Sequence, residues 1–283
     1  MSPATRRKSL PSRQSTRRRR PGSSGRSPSS SSPCTRCSFS RRGSFRGAVL
    51  TALAINAVLG TIGLSLGYHR LLTHNSFTVP KWLEYVMATC GILALQGAPT
   101  TWVGMHRAHH AYSDTEKDPH DSTRGFWWSH MGWMFYFTQN AYRRHAPKFM
   151  QEARFYRFFD WGFLTQVMVQ VPLALVLFAA GGWTFVVWGV FVRIVVQWHC
   201  TFLVNSATHK WGYRNYEVKD ASRNTWWVAL LTWGEGWHNN HHAQPKAAKF
   251  SRRIWEIDVS WWVLKFLKAV RLAKDVRLPS EPA

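Results

Sequence analysis

Nine of the thirteen histidines stand in three tight groups and one follower: His69 and His74; His106, His109 and His110; His238, His241 and His242; and His209. A neutral imidazole offers a lone pair to a transition metal, and sulfur-free donor sets suit iron, copper, zinc or nickel rather than thiolate-selecting ions. In His106-x-x-His109-His110 the rings recur at i, i+3 and i+4, one face of a helix, so at least two of them reach a common centre. His238-x-x-His241-His242 repeats that spacing. A structural zinc needs four ligands, and the zinc-protease pattern His-Glu-x-x-His does not occur. Nine imidazoles call for two ions, with the triads shared or split between them. His69 and His74 are five residues apart, which turns them about 140° from each other on an α-helix, so each is expected to serve a different ion. Asn205 and His209 lie one turn apart where an apolar segment ends, and bring an amide able to bind through a water and the ninth imidazole. A dinuclear iron pair can use oxygen to remove hydrogen from an unactivated methylene, a task beyond acid/base groups or a hydride cofactor. No catalytic side chain beyond the ligands is required.

The other four histidines read as structural. His199 lies within an apolar helix, His145 in a basic loop beside Arg143 and Arg144, His120 in a polar turn and His130 in an aromatic run.

These groups must be positioned by membrane helices. Residues Gly47 to Tyr68 form a stretch of 22 without a charge, enough to span a bilayer, and Trp161 to Val192 is also uncharged, broken by Gly181-Gly182. The second stretch predicts a helical hairpin, 161–180 and 183–204, with the glycines as its turn. Tyr85 to Met105 is long enough to cross, but a crossing would place the first two histidine groups on opposite sides of the membrane. Gly91, Gly97, Pro99 and Thr100-Thr101 instead mark a re-entrant or surface-lying segment. All histidine groups then face one compartment, and the positive loops around them assign it to cytosol or stroma. The segment 254–272, with Trp255, Trp261, Trp262 and Phe266 among basic residues, suits an amphipathic helix at the interface or against the cap. Arg193, midway along an apolar helix, must find a polar partner.

Of 37 basic residues, 13 fall in residues 1–46, and no acidic residue precedes Glu84. This Ser/Arg-rich leader reads as an organelle transit peptide, disordered, ahead of a single domain at 47–278 and a short tail at 279–283. The full chain carries +23 and the part beyond the leader +10, which suits anionic lipid or an acidic electron carrier. A nucleic-acid-binding arm is disfavoured because a membrane protein gives it little to do. Cys34 and Cys37 form a lone Cys-x-x-Cys with no second pair, and Cys90 and Cys200 read as core thiols.

In combination, Gly67-Tyr68-His69-Arg70 through His74, His106-Arg107-Ala108-His109-His110, Asp118-Pro119-His120 followed by Arg124-Gly125-Phe126-Trp127, Asn205 through His209, and Gly234-Glu235-Gly236-Trp237-His238-Asn239-Asn240-His241-His242 resemble the integral-membrane fatty acid desaturases of the stearoyl-CoA type over residues 50–275. The resemblance implies an all-α, multi-pass membrane protein whose helical cap holds a di-metal site. It implies a diiron oxidoreductase that inserts a cis double bond, commonly at the ninth carbon, into a saturated acyl chain on coenzyme A or a glycerolipid. It implies two iron ions, molecular oxygen and two electrons from a separate carrier, ferredoxin in a plastid (chloroplast) membrane or cytochrome b5 in the endoplasmic reticulum, and the leader favours the plastid. It matches the nine histidines to metal ligands, Asn205 to a water-mediated one, and Gln96, Trp102, Thr201 and Phe202 to the lining of a kinked acyl tunnel. The family has two spanning helices before its first box, and one is visible here. The neighbouring readings are a membrane hydroxylase or ketolase with similar boxes and, from another class, a metal transporter or bis-histidine haem carrier. The latter would place ligands inside the apolar helices, with an internal repeat in a transporter, whereas these groups lie beyond the helix ends.

Overall fold

A computed structural model describes residues 35–280 except Phe137. The first long element, α1 (Thr35–Val58), begins inside the segment read as a leader, whose residues 1–34, with Cys34, lie outside the described residues. It runs without a break into π-helical turns from Leu59 to Thr73. Ser44–Thr73 is apolar and long enough to cross a membrane, as is Phe163–His209. Glycine lets the next helix lie close. α2 (Lys81–Leu93) folds back along the π-helical run, and a Cβ on Gly63 would stand 2.4 Å from the Cys90 carbonyl carbon.

Between Ala94 and Ala98 the chain turns out of helix, with Gly97 at φ +107°, before α3 (Pro99–Tyr112) opens on a proline at its first position. The 85–105 segment is therefore two helices joined by a break, as its Gly and Pro residues predict. Tyr68 Oη and Trp198 Nε1 hold the break by donating to the carbonyls of Gly97 (3.4 Å) and Leu95 (2.9 Å).

Short helices follow, α4 (Phe126–His130), α5 (Gln139–Arg143), α6 (Lys148–Glu152) and α7 (Arg154–Phe159), leading to the second apolar element. That element comprises α8 (Phe163–Met168), α9 (Gln170–Val186), π-helical turns Val187–Val192 and α10 (Arg193–Ser206). The expected hairpin turn is present: Gly181 and Gly182 leave helical geometry, Gly182 at φ +67°. Leu177, Val186, Val190 and Ile194 pack between its arms, while Leu175, Val176, Phe191 and Val195 are exposed. An apolar belt left uncovered on a span is the face a bilayer would cover. Arg193 finds its partners here, donating to Leu93 O (2.8 Å), Gly189 O (2.9 Å) and Gln170 Oε1 (3.1 Å).

The cap closes with α11 (Trp226–Leu231), α12 (His238–Ala243) and α13 (Val259–Ala269). The last is shorter than the 254–272 pattern suggests because Asp258 ends the preceding loop, accepting from Trp261 N as an N-cap. It buries Leu264 and Leu267 against the core and leaves Trp262 and Phe266 exposed. Leu64, Leu66 and Tyr68 of the π-helical run join Met87, Ile92, Val103 and Leu264 in one core beneath the site. Among the described residues, extended pairing is confined to isolated bridges such as Thr78 with Lys274.

Candidate metal centre

All nine histidines of the three groups and the follower converge at one end of the two apolar elements, His69 on the last turns of the first and His209 at the end of the second. Ring nitrogens of His69, His74, His106, His110 and His241 lie within 4.8 Å of one another, and so do those of His109, His209, His238 and His242. The triads are split, and split oppositely: α3 sends two rings to the first nest and one to the second, α12 one and two.

One expectation is corrected. His69 and His74 face the same nest, their ring centroids 4.9 Å apart, rather than serving different ions. The 140° separation presumes an α-helix, whereas Leu59–Thr73 is wound in π turns. Wider turns, bonded i to i+5, bring residues five apart back to nearly one face.

The ring atoms that meet are Nε2. His69 approaches His241 at 2.9 Å, His110 approaches His241 at 2.9 Å and His106 at 3.0 Å, His238 approaches His209 at 3.1 Å, and His109 approaches His242 at 3.3 Å. Two ligands at about 2.1 Å from an ion are about 3.0 Å apart at a right angle and about 3.4 Å apart in a tetrahedron, so these separations are those of a coordination shell. Five donors exceed a tetrahedron, and four leave room for a further ligand. Burial, reinforced by neighbouring imidazoles, holds His74, His106, His110, His238 and His241 well below the ordinary histidine pKa, and His242 at about 4. They are neutral bases with free lone pairs. The Nε2 of His74 and the Nδ1 of His238 and His241 are buried without a hydrogen-bond partner, a cost that a coordinated ion removes at His74.

Carboxylates stand behind four rings, and sequence reasoning assigned them no role. Asp118 accepts from His109 Nδ1 at 2.9 Å, Asp220 from His242 Nδ1 at 2.9 Å, Asp114 from His209 Nδ1 at 3.1 Å, and Glu235 from His69 Nδ1. Such a partner turns Nε2 toward the metal and raises its basicity. Burial alone would raise the carboxyl pKa of Asp114, Asp118 and Asp220, but the facing imidazoles and other hydrogen bonds hold each well below the usual range. Asp118 and Glu235 sit inside motifs already singled out, and Asp114 is four residues past His110. Asp220 follows no histidine group and gave no signal. His120 packs 4.3 Å from the His109 ring and beside Asp118, with burial taking it down to about 3. His130 bonds His199 at 3.0 Å, and His145 pairs with Arg144, as structural residues would.

At six residues, α12 cannot hold itself in shape. Buried Asn239 and Asn240 rivet it from the side away from the rings: Asn239 Oδ1 accepts from Asn215 N and Tyr216 N, and Asn240 Nδ2 donates to Phe250 O and Glu256. Arg70, fully buried, ties the cap to the membrane helix by donating to Ala248 O (2.7 Å) and Asp258 (3.0 Å).

An apolar cavity of about 170 Å³ opens beside the first nest, bordered by Gln96, Trp102, His106, Thr201, Phe202 and Asn205 among others. A smaller one, about 50 Å³, continues past His69, His106 and His238 toward Gly60 and Trp233. Trp102, His106, Thr201 and Asn205 border both. The structure thus brings together Gln96, Trp102, Thr201 and Phe202 around one cavity, and Asn205 borders both. Gln96 Nε2 donates to Thr201 Oγ1 at 2.8 Å, and Trp102 stacks on His106 with centroids 5.1 Å apart.

Paired nitrogen nests at the rim of apolar helices, open to an apolar cavity, define a membrane-bound oxidoreductase with a two-metal site acting on an aliphatic chain. The chain belongs to the fatty acid desaturase family, whose profile matches residues 47–277. It is similar to an sn-1 stearoyl-lipid 9-desaturase of Synechocystis sp., 50% identical over 236 residues that cover 83% of this chain and 74% of the relative. An sn-2 palmitoyl-lipid 9-desaturase of Nostoc sp. is 51% identical over 225 residues, 77% of this chain and 78% of the relative. A chloroplastic palmitoyl-monogalactosyldiacylglycerol delta-7 desaturase of Arabidopsis thaliana is 47% identical over 237 residues, 83% of this chain and 63% of the relative.

Proposed function

We propose that this enzyme inserts a cis double bond at the ninth carbon of a saturated acyl chain esterified to a membrane glycerolipid, in a plastid membrane. The carrying observation is the contact between the two histidine nests and two adjoining apolar cavities, which share Trp102, His106, Thr201 and Asn205. The glycerolipid carrier rests on the Synechocystis and Nostoc relatives at 50–51% identity, both named for lipid-bound acyl substrates.

His69, His74, His106, His110 and His241 would hold one iron, and His109, His209, His238 and His242 the other, with Asn205 reaching the site through a water. Bound there, the iron pair supplies an oxidant able to take hydrogen from two neighbouring methylenes, with one oxygen molecule and two electrons from a separate carrier consumed. The remaining chemistry belongs to the chain. Asp114, Asp118, Asp220 and Glu235 fix which nitrogen of each ring carries the proton. The cavity receives the acyl chain in apolar surroundings like those it leaves in the bilayer and excludes solvent from the reacting carbons. The Gln96–Thr201 bond and the Trp102 indole stacked on His106 would shape the cavity wall that selects which carbons stop at the nests.

Expression in a yeast lacking its own desaturase tests this reading. Gas chromatography of total lipids is expected to show monounsaturated acyl chains with the bond at carbon nine, enriched in glycerolipid over the acyl-CoA pool. Absence of any unsaturated product with iron and carrier present refutes the function. A bond at another carbon refutes the regiochemistry alone.

A further inference from the structure

The nests have a second approach that shares none of its residues with the acyl cavities. A surface groove of about 470 Å³ is bordered by His74, Arg107, His110, Lys246 and Arg277, with Pro245 at its edge. His74 and His110 are half-buried and line this groove, so two ligands of the five-histidine nest border it. Arg107, Lys246 and Arg277 are exposed, and none forms an ion pair among the described residues. Their positions are held by backbone: Arg277 N donates to Ser76 O at 2.8 Å and Ala248 N to Arg277 O at 2.8 Å, while Arg107 rides on α3 between the two nests' ligands. The groove lies just past Thr73, where the membrane helix ends, and so faces water.

Three unpaired cations around two groove-lining ligand residues make a surface for an anionic partner that must come close to the metals without entering the acyl path. A second basic groove, at Lys249, Arg252 and Arg253, is lined by none of the nine histidines. We propose that the His74–His110 groove is the docking surface for a small acidic one-electron carrier protein, and that electrons enter the site through the edges of these two residues that line the groove. This rests on the desaturase reading, which requires such a carrier. Two reduced carriers each lose one electron per turnover. With two protons and the two hydrogens taken from the acyl chain, these electrons reduce one oxygen molecule to two waters. The electron transfer rate falls steeply with distance, so a partner seated at these edges has the short route that the lipid-facing side lacks.

The test is the double variant Lys246→Glu/Arg277→Glu of the full chain, purified in detergent and compared with wild type in two assays. The first titrates reduced [2Fe–2S] ferredoxin and cytochrome b5 onto the immobilised enzyme at low and high salt. The second follows desaturation driven either by those carriers or by dithionite with a small neutral mediator. Expected are tenfold or weaker carrier binding, loss of the salt dependence, a raised KM for carrier with little change in the KM for lipid, and wild-type rates with the chemical reductant. Unchanged carrier binding and KM overturn the proposal. So does equal loss of rate with both reductants, because the side chains would then serve the metal site itself. If wild type makes no unsaturated product even with the chemical reductant, the desaturase reading falls. If wild type turns over and the variant matches it with carrier, only the docking surface falls.

Discussion

Asp220 is the sharpest probe of the site, because only the folded chain connects it to a histidine group. Its Oδ2 accepts from His242 Nδ1 at 2.9 Å while Oδ1 accepts from Ser222 N at 2.9 Å. Both oxygens are committed to donors. Asp220→Asn leaves one acceptor, so either the Ser222 turn or the His242 ring faces an amide N–H instead of a lone pair. Removing the partner of a metal-bound imidazole costs 10–100-fold in metal affinity, about 1.4–2.7 kcal/mol. The Asp220 side chain is 14% exposed, which lets water replace part of the lost bond and places the expected loss near about tenfold.

That loss should be confined to one nest. His242 meets His109 at 3.3 Å and its ring lies 4.2 Å from that of His238, all in the four-histidine group. None of the carboxylate contacts of the five-histidine group passes through Asp220. Dialysis of the purified variant against a graded chelator series, followed by elemental analysis, should therefore show one iron leaving at roughly tenfold lower chelator than in wild type, with the second retained. Product formation should fall with the first iron, and the thermal midpoint should hardly move. Release of both irons in parallel, or two irons held as tightly as in wild type, would refute the assignment of Asp220 to a single nest.

Alanine at His106, His109, His241 or His242 should abolish product while the protein stays in the carbonate-resistant membrane fraction, and a variant with full activity would remove that residue from the ligand set. Gly63→Ala drives a methyl toward the Cys90–Gly91 backbone, 2.4 Å away, which cannot retreat within α2. The overpacking should cost about 1–3 kcal/mol and lower the unfolding midpoint in detergent; an unchanged midpoint would mean the helices do not pack this closely. Thr201→Val removes the acceptor of Gln96 Nε2, at a cost of about 1 kcal/mol. Loosening the cavity wall should spread the double bond over neighbouring positions in the gas chromatogram, and a wild-type product pattern would take that hydrogen bond out of substrate positioning.

Much of the architecture was legible because its signals are compositional and local. Uncharged length marks a span, and Gly181-Gly182 has no other use in an apolar run than a turn. Gly97, at positive φ, and Pro99, at the first position of α3, are residue types suited to ending one helix and opening the next. The convergence of the histidine groups was legible too, since only a two-metal site accounts for so many imidazoles with so few acids between them. What escaped depends on geometry that has no residue signature. Nothing in Leu59–Thr73 announces π turns, so a correct α-helical calculation sent His69 and His74 apart. The orienting carboxylates escaped for a different reason. Asp220 reaches His242 across a loop of irregular backbone, and Arg193 finds Leu93 O across 100 residues, contacts that periodicity cannot express.

The opposite division of the two triads carries a mechanical consequence. Adjacent residues point to different nests on both helices: His109 and His110 on α3, with ring centroids 5.7 Å apart, and His241 and His242 on α12, also 5.7 Å apart. The separation of the two nests is therefore set by the offset between neighbouring side chains on a helix, a rigid quantity, and set twice from facing elements. The membrane helices each add to only one nest, His69 and His74 to the first and His209 to the second. Motion of either apolar element can then shift a single nest's outer ligands without changing the distance between the two. A two-metal site that must act on one pair of carbons needs that distance held constant while lipid enters between the helices. Asn239 and Asn240, buried beneath a helix too short to support itself, are what keep the second of its two rulers straight.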